Sequence, residues 1–271
     1  MTRVGFQGET GAFSEQAALT LFPDGQALAY HGLPGIFADV MSGTLDYGVV
    51  PMENSSAGSI NETYDLLGRG GVHIVGEVVL SIQHALLALP GTDMAQIRLV
   101  RSHPQALAQC QQFLAALGVQ LLAVYDTAGA AKQIVNDNRI GEAAVASQAV
   151  APIYGLTVLR HSIQDDPDNQ TRFAAISTSP TPLGPANKTS IVFEVSNTPG
   201  SLYRGLGPLA SRNLNMSKLE SRPSGAKPWH PRFYLDIDAG IDDDRLRDAL
   251  TEFALQVSGL RVLGSYQRFE Q

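Results

Sequence analysis

The sequence predicts an α/β region followed by a smaller α+β region with a ferredoxin-like order of elements. Over the first two thirds, short apolar runs alternate with helical patterns, which is typical of an α/β domain with largely parallel sheets. The last part instead reads β-α-β-β-α-β over about 80 residues. Between them, the stretch TSPTPLGPAN carries three prolines and is the best candidate for a linker.

The predicted elements follow from apolar periodicity and its interruptions. In the first region the strands are at 4–7, 27–31, 46–50, 98–101, 121–125, 143–146, 157–159 and 173–177, and 72–89 is long enough for two strands or one bent strand. The first helix is predicted to end near residue 22, and further helices are predicted at 35–41, 61–67, 104–117, 127–136 and 147–154. In the second region the strands are at 189–195, 214–221, 232–238 and 261–266, with helices at 199–213 and 242–257.

Composition and charge narrow the class of protein. The chain has 271 residues, of which 44% are hydrophobic and 17% charged, as expected for a soluble globular protein of about two domains. Acidic residues outnumber basic ones by 26 to 19, which argues against nucleic acid or an anionic membrane as a partner. No apolar run approaches the roughly 18 residues that a membrane-spanning helix needs.

Cysteine and histidine usage point to a reducing compartment and to no metal. The single cysteine, Cys110, cannot form an intramolecular disulfide. The N-terminus enters a predicted strand without an apolar leader, so a cytoplasmic protein is expected. The six histidines are scattered, and none has a His or Cys neighbour at metal-ligand spacing. We therefore expect neither a metal site nor a cofactor.

Polar clusters recur where the predicted strands end, which is where ligands bind in open α/β sheets. They lie at 8–14 (GETGAFS), 53–59, 102–109, 126–131 and 169–173. GETGAFS matches neither GxGxxG nor the Walker A pattern, which argues against a nucleotide site. Each cluster alone could be an ordinary turn or helix cap: Ser102, His103 and Asp126 could simply start helices, and Cys110 could be packing.

Several of these segments resemble the bacterial prephenate dehydratase family. The resemblance is carried by VVPMENSSAGSINETYDLL, SHPQALAQC, NQTRF and LESRPSGAKPWHPRFYLDI, in the family's order, and covers about 4–266. It implies a two-lobed catalytic region like the type II periplasmic binding proteins at 1–180, with lobe one at about 1–78 plus 160–180 and lobe two at about 79–159. It further implies a linker at 181–188 and an ACT regulatory domain at 189–271, in agreement with the ferredoxin-like order predicted above.

The resemblance also implies the site residues. Thr171, in the TRF motif, matches the family's essential threonine. Glu53 is a second catalytic candidate, since either Glu53 with a raised pKa or a relayed water could supply the proton. The substrate-binding candidates are Asn54, Ser55, Ser102, Gln109, Asp126, Thr127, Arg172 and Phe173, with either Arg172 or backbone N–H groups holding a carboxylate. The effector-binding candidates are Pro199, Gly200, Ser201, Leu202, Glu220, Ser221, Arg222 and Pro223.

The implied reaction is the decarboxylative dehydration of prephenate to phenylpyruvate in L-phenylalanine synthesis, without a cofactor. L-phenylalanine is the implied effector, and a homodimer or homotetramer is expected. Arogenate dehydratase is the main rival, since arogenate differs from prephenate only in an amine that replaces a ketone. An extracytoplasmic solute-binding protein and a non-catalytic amino-acid sensor remain weaker alternatives. A monofunctional enzyme, without a chorismate mutase segment, is expected.

Overall fold

The computed structural model describes residues 1–223 and 231–269. Residues 224–230, part of the predicted regulatory motif, and 270–271, the end of the predicted ACT domain, lie outside the described residues. The chain divides into two compact units. Unit 1 comprises Met1–Asn61 and Val79–Phe173, and unit 2 comprises Glu62–Val78 and Ala174–Gln271.

The secondary structure follows the predicted alternation closely. The strands are β1 Arg3–Gln7, β2 Gln26–Tyr30, β3 Tyr47–Asn54, β4 Gly58–Ser59, β5 His73–Ser81, β6 His84–Ala88, β7 Leu99–Ser102, β8 Gln120–Ala123, β9 Glu142–Ser147, β10 Thr157–Arg160, β11 Gln170–Ser177, β12 Lys188–Glu194, β13 Met216–Pro223, β14 Pro231–Ile237 and β15 Ser258–Tyr266. The α-helices are α1 Phe13–Leu21, α2 Leu33–Met41, α3 Asn61–Arg69, α4 Pro104–Gln109, α5 Gln111–Leu117, α6 Thr127–Asn136, α7 Val150–Tyr154, α8 Ser201–Ala210 and α9 Asp244–Ala254. Met94–Gln96 forms a 3₁₀ turn.

The first sheet has the strand order β2-β1-β3-β11-β5, with β4 paired to β3. β1 pairs in parallel with both β2 and β3. Helix α2 buries Leu33, Ile36, Phe37 and Val40, whose three- and four-residue spacing forms one apolar face of a helix. Because β1 and β3 are parallel, their carboxyl ends lie at the same edge of the sheet, and the polar clusters at 8–14 and 53–59 follow them.

The second sheet has the order β10-β6-β9-β7-β8. β7 pairs in parallel with β8 and β9, whereas β6 pairs antiparallel with β9 and β10, so this sheet is mixed. Every residue of β6 is buried, because Ala85 and Leu87 pack into one core and Leu86 and Ala88 into another. A strand covered on both faces reads as a continuous apolar run, which explains HALLA.

The helix predicted at 104–117 is two helices, α4 and α5, which meet at Cys110. Cys110 has φ −118° and ψ 25°, outside helical values. Asp165 fixes the break from both sides. Its backbone N–H donates to the carbonyl of Gln109 at 2.7 Å, and its carboxylate accepts from the N–H of Gln112 at 3.1 Å. A long-range contact thus replaces the helical continuation that local propensity favoured.

The C-terminal sheet in unit 2 confirms the ferredoxin-like prediction. Its order is β13-β14-β12-β15, and every pairing along it is antiparallel. Phe193 and Phe253 pack edge to face at 4.8 Å in the core beneath α8 and α9. Helix α8 begins at Ser201, after the N-cap Gly200, so Pro199 precedes the helix and does not occupy its first turn.

The described part of the chain, 1–223 and 231–269, holds no helix long and apolar enough to cross a bilayer.

Candidate active site

Unit 1 contains a polar cavity of about 220 Å³. Its lining comes from the ends of strands in both α/β sheets and from the first residues of neighbouring helices. The lining residues are Gln7, Gly8, Ala12, Phe13, Ser14, Asn54, Ile82, His84, His103, Gln105, Ala106, Gln109, Tyr125, Asp126, Thr127, Thr171 and Phe173. The cavity thus brings together Asn54, Gln109, Asp126, Thr127, Thr171 and Phe173 from the predicted site.

Side-chain alternation along two strands separates the predicted residues into two groups. Asn54 and Thr171 line the cavity, and the Asn54 amide Nδ2 lies 2.9 Å from the Thr171 hydroxyl Oγ1. Their chain neighbours Glu53 and Arg172 project to the other face, since successive strand residues point to opposite sides. There the Arg172 Nε lies 2.8 Å from the Glu53 Oε1 in an ion pair. Neither Glu53 nor Arg172 is among the residues that line the cavity.

Asn54 is the centre of a hydrogen-bond network and is only 4% exposed. Its Oδ1 accepts from the backbone N–H groups of Ser56 and Ala57 at 3.1 and 3.0 Å. Its Nδ2 lies 2.7 Å from the Asn169 Oδ1 as well as near Thr171. Because a backbone N–H can only donate, the two bonds from Ser56 and Ala57 identify the oxygen of the Asn54 amide.

The network continues from Asn54 to a buried histidine. The Gln109 Nε2 donates to the Asn54 Oδ1 at 3.2 Å, and the Gln109 Oε1 lies 3.1 Å from the His84 Nε2. His84 is 3% exposed, and the ring of Phe13 packs edge-on against it with centroids 5.6 Å apart. Burial lowers the pKa of His84, and the hydrogen bond with Gln109 opposes that shift.

Asp126 and His103 are the N-cap residues of α6 and α4, two of the helices that begin beside the cavity. Asp126 caps α6, since its Oδ2 accepts from the N–H of Gly129 at 2.7 Å, and it also accepts from the N–H of Glu9 at 3.2 Å. Burial raises the pKa of Asp126, and these backbone bonds oppose the rise. His103 caps α4 through Nδ1, which accepts from the N–H of Gln105 at 3.2 Å. Burial lowers the pKa of His103, and the charge of Asp126 opposes the shift.

Helix α1 differs from α4 and α6 at its start. Its N-cap residue is Ala12, whose side chain cannot accept a hydrogen bond. Ala12, Phe13 and Ser14 all line the cavity, so the first turn of α1 lies beside it. A helix start with backbone N–H groups and no side-chain cap is suited to a carboxylate.

Two further predicted residues serve the framework. Ser55 and Gln170 exchange hydrogen bonds of 2.8 and 2.9 Å, which tie the 53–59 turn to the start of β11. Ser102 is fully buried, and its hydroxyl donates to the Val145 carbonyl at 2.6 Å. Ser55 and Ser102 are not among the residues that line the cavity.

The cavity also has lining residues outside the predicted set. From the sequence, His103 is interpreted only as a possible helix start, and no role is assigned to Gln7, Ile82, His84, Gln105 and Tyr125. For His84 a signal existed: it is the polar residue that opens the apolar run HALLALP. Within residues 1–223 and 231–269, no group of three or more His, Cys, Asp and Glu side chains is placed to hold a metal ion.

The effector-binding candidates lie on two elements of unit 2. Pro199 and Gly200 precede α8, and Ser201 and Leu202 are its first two residues; the Ser201 hydroxyl donates to the Thr198 carbonyl at 2.7 Å. Glu220, Ser221, Arg222 and Pro223 end β13, the terminal strand of its sheet. Arg222 forms an ion pair with Asp65 at 2.9 Å, and Asp65 lies on α3.

Comparison with protein families assigns the chain. The family model described as prephenate dehydratase matches residues 4–181. The chain belongs to the prephenate dehydratase family. As a member of this family it is a dehydratase and thus a lyase.

Individual relatives and solved structures are similar to almost the whole chain. Arogenate dehydratase/prephenate dehydratase 2 of Arabidopsis thaliana is 44% identical over 275 residues, which cover 97% of this chain and 72% of the relative. A solved structure of prephenate dehydratase from Arthrobacter aurescens in complex with L-Phe has a TM-score of 0.91 and 30% identity, covering 98% of this chain and 90% of that one. GqqA, described as a novel type of quorum quenching acylases, has a TM-score of 0.90 and 33% identity, covering 98% of both chains.

The relatives contradict the predicted cytoplasmic location. Three of the Arabidopsis thaliana relatives in this family, numbered 1, 2 and 3, are named as chloroplastic. A single cysteine is consistent with a reducing compartment but does not distinguish one such compartment from another, so the prediction was wrong.

Proposed function

We propose that this dehydratase converts prephenate to phenylpyruvate in L-phenylalanine synthesis. The observation that carries the proposal is the Thr171 hydroxyl, which lines the cavity and accepts a hydrogen bond from Asn54. Because its oxygen is engaged as an acceptor, its hydrogen remains available for a ligand in the cavity.

The reaction balances without an external electron acceptor. The bond between the ring and its carboxylate breaks, and its electron pair enters the ring as carbon dioxide leaves. The C–O bond at the opposite ring carbon breaks at the same time, and the hydroxyl leaves with one proton as water. The gain of an aromatic ring favours the reaction, so the protein has to bind two carboxylates, orient the ring and assist the departing hydroxyl.

In this proposal the carboxylates are bound by backbone groups and not by Arg172. Arg172 is paired with Glu53 on the other face of the strands. The start of α1 has no side-chain cap and lies beside the cavity, so we assign one substrate carboxylate to it. α1 is nine residues long, enough to present a dipole at its N-terminus.

Thr171 polarises the departing hydroxyl by donating a hydrogen bond to it. A threonine hydroxyl is too weak an acid to give up its proton unaided. Of the two proton sources considered from the sequence, the relayed water fits better than Glu53, because Glu53 is held by Arg172 away from the cavity lining. Gln109 and Asn54 fix the substrate from the same side.

We further propose that L-phenylalanine inhibits the enzyme by binding to unit 2. The start of α8 is exposed at Pro199 and Gly200, and β13 is a sheet edge on which a second copy could pair. The effector would bind between two subunits at these segments, in a homodimer or homotetramer. The relative from Arthrobacter aurescens was solved in complex with L-Phe, which supports this effector.

Arogenate is the second candidate substrate. The observation in its favour is the name of several relatives, including arogenate dehydratase 2 of Petunia hybrida, 44% identical over 97% of this chain. The same cavity chemistry serves both acids, because the reacting ring is identical. Only the side-chain group, a ketone or an ammonium, differs.

The test is a rate measurement on both acids with purified protein and no added cofactor. We expect phenylpyruvate from prephenate, suppressed by millimolar L-phenylalanine. A higher kcat/KM on arogenate would replace the proposed substrate by the second candidate. If folded protein converted neither acid, the proposed function would be wrong.

Variants of Thr171 test the catalytic role. We expect Thr171→Ala to lower kcat about a hundredfold, as for the loss of a donor that acts in the transition state, and Thr171→Ser to retain most activity. The matched control is Thr20→Ala, since Thr20 is exposed and its hydroxyl donates within its own helix. Equal kinetics for Thr171→Ser and Thr171→Ala would exclude a catalytic role for the Thr171 hydroxyl.

A further inference from the structure

The hydrogen-bond network around Thr171 ends at His84, a residue to which no role has been assigned. Its backbone is held on both sides, since its N–H donates to the Gln164 Oε1 at 3.0 Å and its carbonyl accepts from the N–H of Ile163 at 2.9 Å. The ring is held by Phe13 and by the Gln109 Oε1. His84 is therefore a fixed point from which the amide of Gln109 is oriented.

The polarity of every bond in this network can be derived from one end. The N–H groups of Ser56 and Ala57 require an oxygen at the Asn54 Oδ1. That oxygen requires a donor on Gln109, so its Nε2 faces Asn54 and its Oε1 faces His84. The Gln109 Oε1 in turn requires a hydrogen on the His84 Nε2.

At the other end the same logic fixes Thr171. The Asn54 Nδ2 can only donate, and its two hydrogens are shared among the Asn169 Oδ1, the Gln170 carbonyl and the Thr171 Oγ1 at 2.7, 3.0 and 2.9 Å. In its contact with Asn54 the Thr171 Oγ1 therefore accepts, and its own hydrogen points elsewhere. We propose that His84 is a positioning residue. Its Nε2–H donates to Gln109, and this holds Gln109 and Asn54 in the orientation that leaves the Thr171 hydrogen for the substrate. This inference rests on the proposed function of Thr171.

The remaining ring nitrogen supports a neutral His84. Among the residues that the structure describes, the buried Nδ1 has no hydrogen-bond partner. A proton there would add a charge with no acceptor, and burial already lowers the pKa of His84. The titratable groups that share the cavity are His103 at the start of α4, Tyr125, and Asp126 at the start of α6.

Kinetics of a double-mutant cycle test the inference. We expect His84→Leu to lower kcat about tenfold, the equivalent of one hydrogen bond, while KM changes less than about threefold. In the Thr171→Ala background, His84→Leu should lower kcat less than about twofold, because the group through which it acts is gone. His84→Gln restores a donor near the Nε2 position and should retain at least about half of the activity.

The matched control is His161→Leu. His161 also lies 3.1 Å from a glutamine oxygen, that of Gln148, but it is exposed and outside the cavity lining. It should leave kcat and KM unchanged. Fully additive effects of His84→Leu and Thr171→Ala, or a His84→Gln protein as impaired as His84→Leu, would overturn the positioning role.

A second measurement does not depend on any variant folding. In ¹⁵N-histidine NMR spectra of the full wild-type chain near neutral pH, we expect His84 to be neutral with the proton on Nε2. A proton on Nδ1 would mean that Gln109 is turned around, and would contradict the inference. Failure of the proposed function is a separate outcome, seen as wild-type protein that converts neither prephenate nor arogenate.

Discussion

At the scale of single residues, the cavity is organised by amide groups whose direction is fixed by backbone donors. Asn54 accepts from two consecutive N–H groups of its own turn, which directs its nitrogen toward Asn169, the Gln170 carbonyl and Thr171. The Asn54 Oδ1 also accepts a hydrogen bond from the Gln109 Nε2. A network in which each member is oriented by the previous one loses more than one bond when a member is removed.

The buried histidine gives the stability of the protein a pH dependence. Burial lowers the pKa of His84 in the folded state, whereas in the unfolded chain it titrates at about 6.5. As the pH falls below about 6.5, the unfolded chain takes up a proton that the folded state does not, so the free energy of unfolding decreases. The contribution of His84 to the free energy of unfolding is fully present above about pH 6.5 and is lost as the pH falls below that value.

We therefore expect His84→Gln to weaken the pH dependence. Urea unfolding at about pH 7.5 and about pH 5.5 should show an acid-side loss smaller by about 1 kcal/mol than in wild type. His161→Gln, at an exposed position, should leave the loss as in wild type. A His84→Gln protein with the wild-type pH dependence would argue against a buried neutral His84.

At the scale of elements, each unit contains helices that begin with a side-chain cap and helices that begin without one. In unit 1, α4 and α6 are capped by side chains and α1 is not. In unit 2, α8 begins after Gly200, which has φ 80°, a left-handed conformation that side chains other than glycine rarely adopt. The exposed turn at 198–201 can take this shape because Gly200 lacks a Cβ.

Two glycines near α8 provide a matched pair of substitutions. We expect Gly200→Ala to lower the free energy of unfolding by about 1–2 kcal/mol, because alanine is strained at positive φ. Gly207→Ala lies inside the helix with no atom within 4 Å of the added Cβ, and should raise it by about 0.5–1 kcal/mol. Urea denaturation of both variants measures the difference. Equal midpoints would mean that the turn does not require glycine.

At the scale of the whole molecule, unit 2 joins distant parts of the chain through buried polar groups. The Lys188 Nζ lies 2.9 Å from the Glu77 Oε2 and 3.6 Å from the Asp236 Oδ2, and all three side chains are at most 7% exposed. The Tyr234 hydroxyl also donates to the Tyr64 carbonyl at 2.7 Å. These contacts explain why Glu62–Val78 belongs to the same compact unit as the C-terminal sheet.

Removing the buried cation should be costly. We expect Lys188→Met to lower the free energy of unfolding by about 3–5 kcal/mol, because Glu77 and Asp236 keep their charges without it. Arg247→Met, which breaks an exposed ion pair with Asp244, should cost less than about 1 kcal/mol. A loss for Lys188→Met no larger than this control would show that the cluster is not stabilising.

Most elements, the ferredoxin-like order and the family could be predicted from the sequence. Local periodicity is sufficient for the elements, as the exact match of α6 to 127–136 illustrates, and contiguous motifs are sufficient for the family. The break at Cys110 depended on Asp165, and whether Glu53 or Asn54 lines the cavity depended on which side of β3 meets it. His84 joined the site only because β6 lies beside Gln109 in space. Such contacts between residues far apart in the chain leave little trace in local sequence, and only the tertiary structure decides them.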